Sequence, residues 1–350
     1  MLRNRSTFAK RRALVIGLVA LLVFGGAAYA LRSEIRNVAE QIIGNDYQGT
    51  GTGETTIEIV EGDDGEAVAQ KLVAAGVVKS FRTTYRLILE KNPTFYPGTY
   101  RLGLKMSSTA ALAALASETN AVVNRVTIKE GLRLKNVYAT LSKATGIPVV
   151  DFQNSASNLS DFNLPTEAPS LEGYLFPATY NFGPKSTAKS ILLAMRSRMD
   201  QELVAQGVAP ADVHRVLTLA GLIQKEARIE SDFYKVSRTF LNRIEAGMKL
   251  QSDATVSYGV DGNTVSTSAA DRSSDNRYNT YRYAGQPIGT ISAPGAVAID
   301  AALNPAVGRW LYFCAVNLET GATVFSETYA QHQVAVRQWQ AWMKENPGYE

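Results

Sequence analysis

The stretch 213–228 carries apolar residues at helical spacing, and one carboxylate breaks the pattern. At about 100° per residue, Leu219 and Ile223 belong to one apolar sector. Glu226 lies three residues after Ile223 and seven after Leu219, so the pattern predicts that its side chain projects from the apolar face. A carboxylate among apolar neighbours is driven towards its protonated form, which a general acid needs near neutral pH. An acid near the helix end that bends out to solvent, or one that pairs with Arg228, gives the same pattern, and the spacing alone leaves these interpretations open.

The N-terminal part of the chain has the pattern of a membrane anchor. Residues 13–31 contain no charge and are about as long as a helix that spans a bilayer, and five basic residues precede them in the tail 1–12. We expect a single-pass transmembrane helix with the tail in the cytoplasm and the body on the extracytoplasmic (periplasmic) side of the cell membrane. A cleaved signal peptide is the alternative, because Ala28-Tyr29-Ala30 resembles a cleavage site. Residues 32–55, which include a glycine-rich run, are expected to form a flexible linker.

Three segments follow the linker, and together they predict an α+β protein. Residues 56–119 have the patterns of strand, helix, helix and strand with a further short helix, and they hold no catalytic constellation, which favours a small packing or binding module. Residues 120–168 predict a connecting subdomain with a strand and a helix. The polar run from Gln153 to Ser170 marks a boundary before the last segment, 169–345, where mixed α/β patterns and most of the candidate chemistry lie.

Polar residues interleaved with turns follow the helices of the last segment. They include Gln251, Asp253, Tyr258, Asn279, Thr280 and Tyr281. Amides, hydroxyls and tyrosine rings offer the donors, acceptors and flat apolar faces of a carbohydrate groove, although ordinary loops contain the same residues. A glycosidase with two carboxylates would need a partner for Glu226, and Glu172, Glu230 and Asp253 are the candidates.

Charge and residue counts exclude several other classes. Of the 36 basic residues, five lie in the tail 1–12, and the other 31 nearly balance the 32 acidic residues, so no nucleic-acid partner is expected. Cys314 is the single cysteine, and neither of the two histidines has a second ligand at metal-binding spacing. Glycine-rich nucleotide loops and serine-hydrolase elbows are missing from the sequence. We therefore expect no metal and no cofactor.

Several sequence blocks, taken in order, resemble one known family. They are L-E-G-Y-L-F-P-A-T-Y (Leu171 to Tyr180), L-A-G-L-I-Q-K-E-A (Leu219 to Ala227), F-L-N-R-I (Phe240 to Ile244), L-Q-S-D-A-T-V-S-Y-G (Leu250 to Gly259), Y-N-T-Y (Tyr278 to Tyr281) and F-S-E-T-Y-A-Q-H (Phe325 to His332). In this order they are similar to the YceG-like (MltG) family of endolytic murein transglycosylases, and the resemblance extends from about Thr56 to the last helix and includes the anchor.

The resemblance implies a LysM-like first module followed by a catalytic domain with one essential glutamate. That glutamate is the second one of the family's L-A-S-I-x-E-K-E block, and it matches Glu226. The first glutamate of the block is replaced by Gln224 here. Ala254 and Ile288 stand where prolines are usual and Thr323 where a histidine is common, which puts fine substrate contacts in doubt but not the reaction class.

The function implied by the resemblance is that of a carbohydrate lyase which cleaves inside peptidoglycan strands without water and leaves 1,6-anhydro ends. Glu226 would be the acid and then the base, and the polar residues of the turns would orient the sugars, with Glu172 in the groove or in structural support. The resemblance also implies nascent peptidoglycan strands as substrate, the cytoplasmic membrane as support and cell-wall synthases as partners. A non-catalytic peptidoglycan-binding scaffold and a lysozyme-type hydrolase are the alternatives.

Overall fold

A computed structural model describes residues 26, 32, 45–60, 62–117, 120–262 and 267–348. Nearly all of the predicted tail, transmembrane helix and linker up to residue 44 therefore lies outside the described residues. Within the described ranges, no helix is both long and apolar enough to cross a membrane. The described chain divides into two compact units between Val123 and Asn124.

The first unit is a two-stranded antiparallel sheet with three helices. Its elements are β1 (Thr52–Ile59), α1 (Gly65–Ala74), α2 (Phe81–Lys91), β2 (Gly98–Leu104) and α3 (Ser108–Leu115). The sequence predicted this order of elements. Each helix begins at a residue whose side chain accepts a hydrogen bond from the first turn, namely Asp64, Ser80 and Ser107. Ile57, Leu72 and their buried neighbours form a core within the unit.

The sequence predicted a flexible linker through residue 55. In the structure, the glycine-rich run from Asn45 onward packs against the first unit, and β1 already begins at Thr52. Thr52 already pairs with Leu104. Gly51 has φ +81°, and a Cβ there would lie 2.4 Å from the Leu104 carbonyl oxygen. Asp46 accepts hydrogen bonds from the backbone N–H and the hydroxyl of Ser108. The glycines thus permit a close backbone approach, which composition alone does not distinguish from flexibility.

The second unit contains the remaining elements. They are β3 (Asn124–Thr127), α4 (Leu134–Thr145), α5 (Val149–Ser157), β4 (Thr179–Phe182), α6 (Ala188–Ala205), α7 (Val213–Glu226), α8 (Glu230–Glu245), α9 (Asp253–Gly259), α10 (Ala269–Ser273), α11 (Ala296–Leu303), β5 (Tyr312–Ala315), β6 (Thr323–Ser326) and α12 (Tyr329–Glu345). β3 pairs with β4 and β5 with β6, both antiparallel.

Residues 124–168, for which the sequence predicted a separate connecting subdomain, share the core of this second unit. β3 is hydrogen-bonded to β4, with Asn124 opposite Phe182. Tyr138 and Phe152 lie in the same hydrophobic cluster as α6, α7 and α8. The mixed α+β class is as predicted. The second unit begins at Asn124 rather than at residue 169, because β3, the strand that pairs with β4, lies in the preceding segment.

Helix α7 is buried along most of its length rather than on one face. Every residue from Val216 to Ile223 is buried, including the polar Thr218. Gly221 makes room for the loop before α11, since a Cβ there would lie 2.1 Å from Thr290 Oγ1. Ser292 Oγ donates to the Gly221 carbonyl at 2.9 Å. This packing holds the C-terminal end of α7, and therefore Glu226, in a fixed position.

Candidate active site

A groove of about 950 Å³ in the second unit contains Glu226, the last residue of α7. The residue keeps some exposure to the groove although protein atoms enclose its carboxyl group. Ser252 Oγ donates a 2.5 Å hydrogen bond to Oε1. Burial raises the pKa of the Glu226 carboxyl group, the Ser252 hydrogen bond opposes this, and the charge of Asp253 adds to it. Burial favours the protonated form of Glu226, as the apolar pattern predicted, and its role as a general acid stays a prediction.

Arg228, the predicted ion-pair partner of Glu226, binds a backbone carbonyl instead. Arg228 Nη1 donates to the Leu318 carbonyl at 2.6 Å. Among the ion pairs of the described ranges, none joins Glu226 to a cation within 4.0 Å. The carboxyl group is thus held by a hydroxyl rather than by a fixed opposite charge.

A buried network of hydroxyl groups positions Ser252. Its N–H donates to Thr280 Oγ1 at 3.0 Å, and its carbonyl accepts from Thr255 Oγ1 at 2.7 Å. The two threonine hydroxyls are 2.8 Å apart. Gln251 takes a left-handed conformation, with φ +51°, and its N–H donates to the Thr280 carbonyl at 3.1 Å. The network fixes the direction of the Ser252 hydroxyl towards Glu226.

Asp253 is the second carboxylate of the groove and begins helix α9. Its Oδ1 accepts hydrogen bonds from Tyr281 OH at 3.1 Å and from Thr267 Oγ1. Burial, aided by the charge of Asp253, raises the pKa of Tyr281 to about 12, so the phenol stays a neutral donor. Gln251, Asp253 and Tyr281 thus line the groove together with Glu226, and that they orient a ligand stays a prediction.

Asn279 and Thr280 lie behind the groove rather than in it. Both are 1% exposed. Asn279 Nδ2 donates to the carbonyls of Arg272 and Ser274 at 3.0 and 2.8 Å, and its Oδ1 accepts from the N–H of Tyr281 at 3.0 Å. The prediction that these two residues contact a ligand directly is therefore replaced by a scaffold role: they shape the loop that carries Tyr281.

The buried Glu172 and the half-buried Tyr258 form a hydrogen-bonded pair outside the described lining of the groove. Both Glu172 oxygens accept from the N–H of Leu134, at 3.0 and 2.9 Å, at the beginning of α4. Burial raises the pKa of Glu172 to about 7, although the Leu134 and Tyr258 hydrogen bonds and the charge of Arg133 lower it. The Tyr258 ring is 4.6 Å from that of Tyr278. Of the two roles predicted for Glu172, the structure favours support.

The sequence analysis did not assign to the groove its four cations and several of its aromatic residues. These are Arg133, Lys225, Arg228 and Arg243, with Tyr312, Tyr329 and His332. Arg243 Nε donates to the Leu311 carbonyl at 2.6 Å, and its guanidinium lies 5.2 Å from the centroid of the Tyr312 ring. The His332 ring stacks on the Tyr312 ring, with the two ring centroids 5.2 Å apart. The F-L-N-R-I block was the available signal for Arg243, and no local signal marks Arg133.

Two departures from the family pattern have a local explanation. Gln224 Oε1 accepts a 2.9 Å hydrogen bond from the N–H of Gly295, a role that a glutamate would also fill. The Ile288 carbonyl accepts a 3.2 Å hydrogen bond from His214 Nε2. This contact comes from the backbone, so it does not depend on the side chain at this position. Within the described ranges, no three His, Cys, Asp or Glu side chains cluster as metal ligands.

The fold and the site indicate a class of protein: an α+β protein whose groove contains a carboxyl group of raised pKa. Such a group is typical of enzymes that use a general acid. Comparison with known proteins gives the family. Residues 57–338 match the YceG-like family model, and the chain belongs to this family.

Curated relatives and a solved structure share this similarity. An endolytic murein transglycosylase of Bacillus subtilis (strain 168) is 31% identical over 301 residues, which cover 80% of this chain and 83% of the relative. A protein of the same name from Streptococcus pneumoniae serotype 2 is 27% identical over 322 residues, and the match spans only 57% of that longer relative. The crystal structure of a yceG-like protein from Listeria monocytogenes aligns with TM-score 0.54 and 26% identity over 81% of this chain and 99% of that one.

Proposed function

We propose that this protein is a peptidoglycan lytic transglycosylase that cleaves bonds inside glycan strands, with Glu226 as its catalytic residue. The observation that carries the proposal is the placement of Glu226: a carboxyl group of raised pKa, bound by the Ser252 hydroxyl, at the wall of a large polar groove. The names of the curated relatives supply the substrate class.

In the proposed reaction, the Glu226 acid protonates the glycosidic oxygen between N-acetylmuramic acid and N-acetylglucosamine while the bond from that oxygen to the muramoyl C1 breaks. The muramoyl C6 hydroxyl oxygen forms a new bond to C1, and its proton passes to the Glu226 carboxylate. The strand then ends in a 1,6-anhydro sugar, and no water is consumed. Because the nucleophile belongs to the substrate, a second enzyme carboxylate is not required.

The neighbours of Glu226 support this cycle. Ser252 donates to Oε1 and stabilises the carboxylate after the proton has left, while Oε2, which accepts no hydrogen bond from the described residues, carries the proton. Asp253, Tyr281 and Gln251 line the groove and orient the sugars in this proposal.

The setting of the reaction is also part of the proposal. We infer from the sequence that residues 13–31 anchor the protein in the cytoplasmic membrane, with the catalytic unit on the extracytoplasmic side. The first unit acts as a LysM-like module that binds glycan, and the protein works on nascent strands beside cell-wall synthases. The element order strand, helix, helix, strand of the first unit is the feature that supports the LysM-like assignment.

The test is to replace Glu226 by Gln and digest purified peptidoglycan. The amide keeps an acceptor for the Ser252 hydroxyl but has no proton to transfer, so we expect anhydro-ended fragments to fall at least about 100-fold in mass spectrometry. Glu230→Gln is the matched control, since Glu230 is exposed and outside the described groove lining. Anhydro fragments that persist at the wild-type rate with Glu226→Gln would remove Glu226 from this role.

A further inference from the structure

We propose that the groove binds carboxylates of its glycan strand through Arg243, Arg133 and Lys225, so that the enzyme prefers strands whose muramoyl substituents carry negative charge. This inference rests on the proposed function and names a feature of the substrate that the reaction itself does not require.

Positive charge exceeds negative charge in the groove. Four cations line it, Arg133, Lys225, Arg228 and Arg243, against the two carboxyl groups of Glu226 and Asp253. Burial of Glu226 raises its pKa and so favours the neutral form of one of these two carboxyl groups. Sugar hydroxyls and acetamides need donors and acceptors but no net charge, so an excess of cations favours an anionic ligand.

Arg243 is held in place by neutral groups. Its guanidinium donates to the carbonyls of Leu311 and Leu250, at 2.6 and 2.8 Å, and lies over the Tyr312 ring. Among the described residues, no carboxylate oxygen lies within 4.0 Å of it, although the charge of Glu226 acts on it at longer range. Carbonyl groups orient a guanidinium without cancelling its charge, which leaves that charge available to a ligand beside the acid.

Arg133 comes directly before α4, whereas Lys225 lies in the last turn of α7, and both line the groove. Arg133 Nη2 donates to Ser257 Oγ at 3.2 Å, whereas Nη1 is buried and makes no hydrogen bond within the described chain. Asp261 is 3.9 Å from Nη1, but it is 79% exposed and is shared with a second cation. Among the described residues, Lys225 Nζ donates to one group, the Gly131 carbonyl at 3.5 Å, and its charge also acts on Glu226. Both side chains thus keep charge for the groove.

Muramoyl residues supply carboxylates from two sources. In a strand without peptides, the lactyl group of each muramoyl residue ends in a carboxylate. Where a stem peptide is attached, that carboxylate is an amide and the peptide contributes carboxylates further out. Nε and Nη1 of Arg243 donate to backbone carbonyls, whereas Nη2 makes no hydrogen bond to the described residues and can donate to a carboxylate from either source.

The experiment compares four substrates for the full chain in detergent: peptide-free strands and peptide-bearing strands, each with free carboxylates or with carboxylates converted to methylamides. We expect kcat/KM to be roughly tenfold higher on at least one charged strand than on its amidated counterpart. Lys225→Gln and Arg243→Gln should bring this ratio towards one. Arg215→Gln, an exposed arginine paired with Asp212 and outside the described groove lining, should leave the ratio unchanged.

The arms identify the source. A charge preference confined to peptide-free strands assigns the lactyl carboxylate, and one confined to peptide-bearing strands assigns the stem peptide. A ratio near one in both arms for the wild type, or a preference that survives in Lys225→Gln and Arg243→Gln alike, would overturn the inference. If the wild type cleaves none of the strands, the proposed function fails instead, and the affinity of Glu226→Gln for the four strands still decides whether charge is recognised.

Discussion

Replacing Glu172 by Gln tests whether burial of this carboxyl group makes the stability of the second unit depend on pH. The carboxyl group is 4% exposed and receives two hydrogen bonds from the Leu134 N–H, and burial still raises its pKa from 4.5 to about 7. Below pH 4.5 the group is protonated in both the folded and the unfolded chain, and its stabilising contribution is complete. Between pH 4.5 and 7 only the unfolded chain releases the proton, so stability is lost as the pH rises.

The magnitude follows from the two pKa values. At about 1.4 kcal/mol for each pKa unit, the step from 4.5 to about 7 corresponds to about 3 kcal/mol. Glutamine keeps an acceptor for the Leu134 N–H and does not titrate. The free energy of unfolding of the wild type, minus that of Glu172→Gln, should therefore fall by about 3 kcal/mol between pH 4.5 and 7.

Urea unfolding followed by tryptophan fluorescence measures this difference in the right unit, because all three tryptophans, Trp310, Trp339 and Trp342, lie in the second unit with Glu172. Glu167→Gln, an exposed carboxylate of the same loop, is the control and should give a flat difference. A flat difference for Glu172→Gln, or one that grows with pH, would refute the reasoning, because it would mean that hydrogen bonding outweighs burial.

Two further variants test the groove and its support. Ser252→Ala removes the hydrogen bond that lowers the pKa of Glu226. The basic limb of the pH profile of kcat/KM should therefore move to higher pH, and the maximum should fall roughly tenfold. A shift of this limb to lower pH would contradict the prediction. Gly221→Ala places a Cβ 2.1 Å from Thr290 Oγ1 and should lower the free energy of unfolding in urea by about 1–3 kcal/mol. Gly183→Ala meets no atom closer than 4.0 Å and is the control; equal losses in the two variants would contradict the packing argument.

Local pattern was enough to single out Glu226 as a candidate and to predict the order of elements in the first unit. Glu226 was identifiable because a carboxylate on an apolar helical sector is a conflict that periodicity exposes. The helix around it was harder to predict: from Val216 to Ile223, α7 is buried on all sides, and Gly221 contacts Ser292, 71 residues later in the chain. No window of local sequence contains that contact.

The polar residues of the site show a second limit of sequence reasoning. Tyr281 lines the groove, whereas its neighbours Asn279 and Thr280 turn inward and bind backbone or hydroxyl groups. All three have the residue types of a ligand site, and composition cannot tell a polar group satisfied by the protein from one left for a ligand. Arg133 joins the groove from a segment 93 residues before Glu226, so only the fold reveals the cationic wall.

The chemical nature of the new strand end tests the central claim most directly. Intact peptidoglycan is digested by the wild-type protein in water labelled with heavy oxygen, and the fragments are measured by mass spectrometry. Attack by the muramoyl C6 hydroxyl predicts fragments lighter by one water than hydrolysis products, with no label at the new end. Reducing ends that carry the label would contradict the account and assign the groove to a lysozyme-type hydrolase.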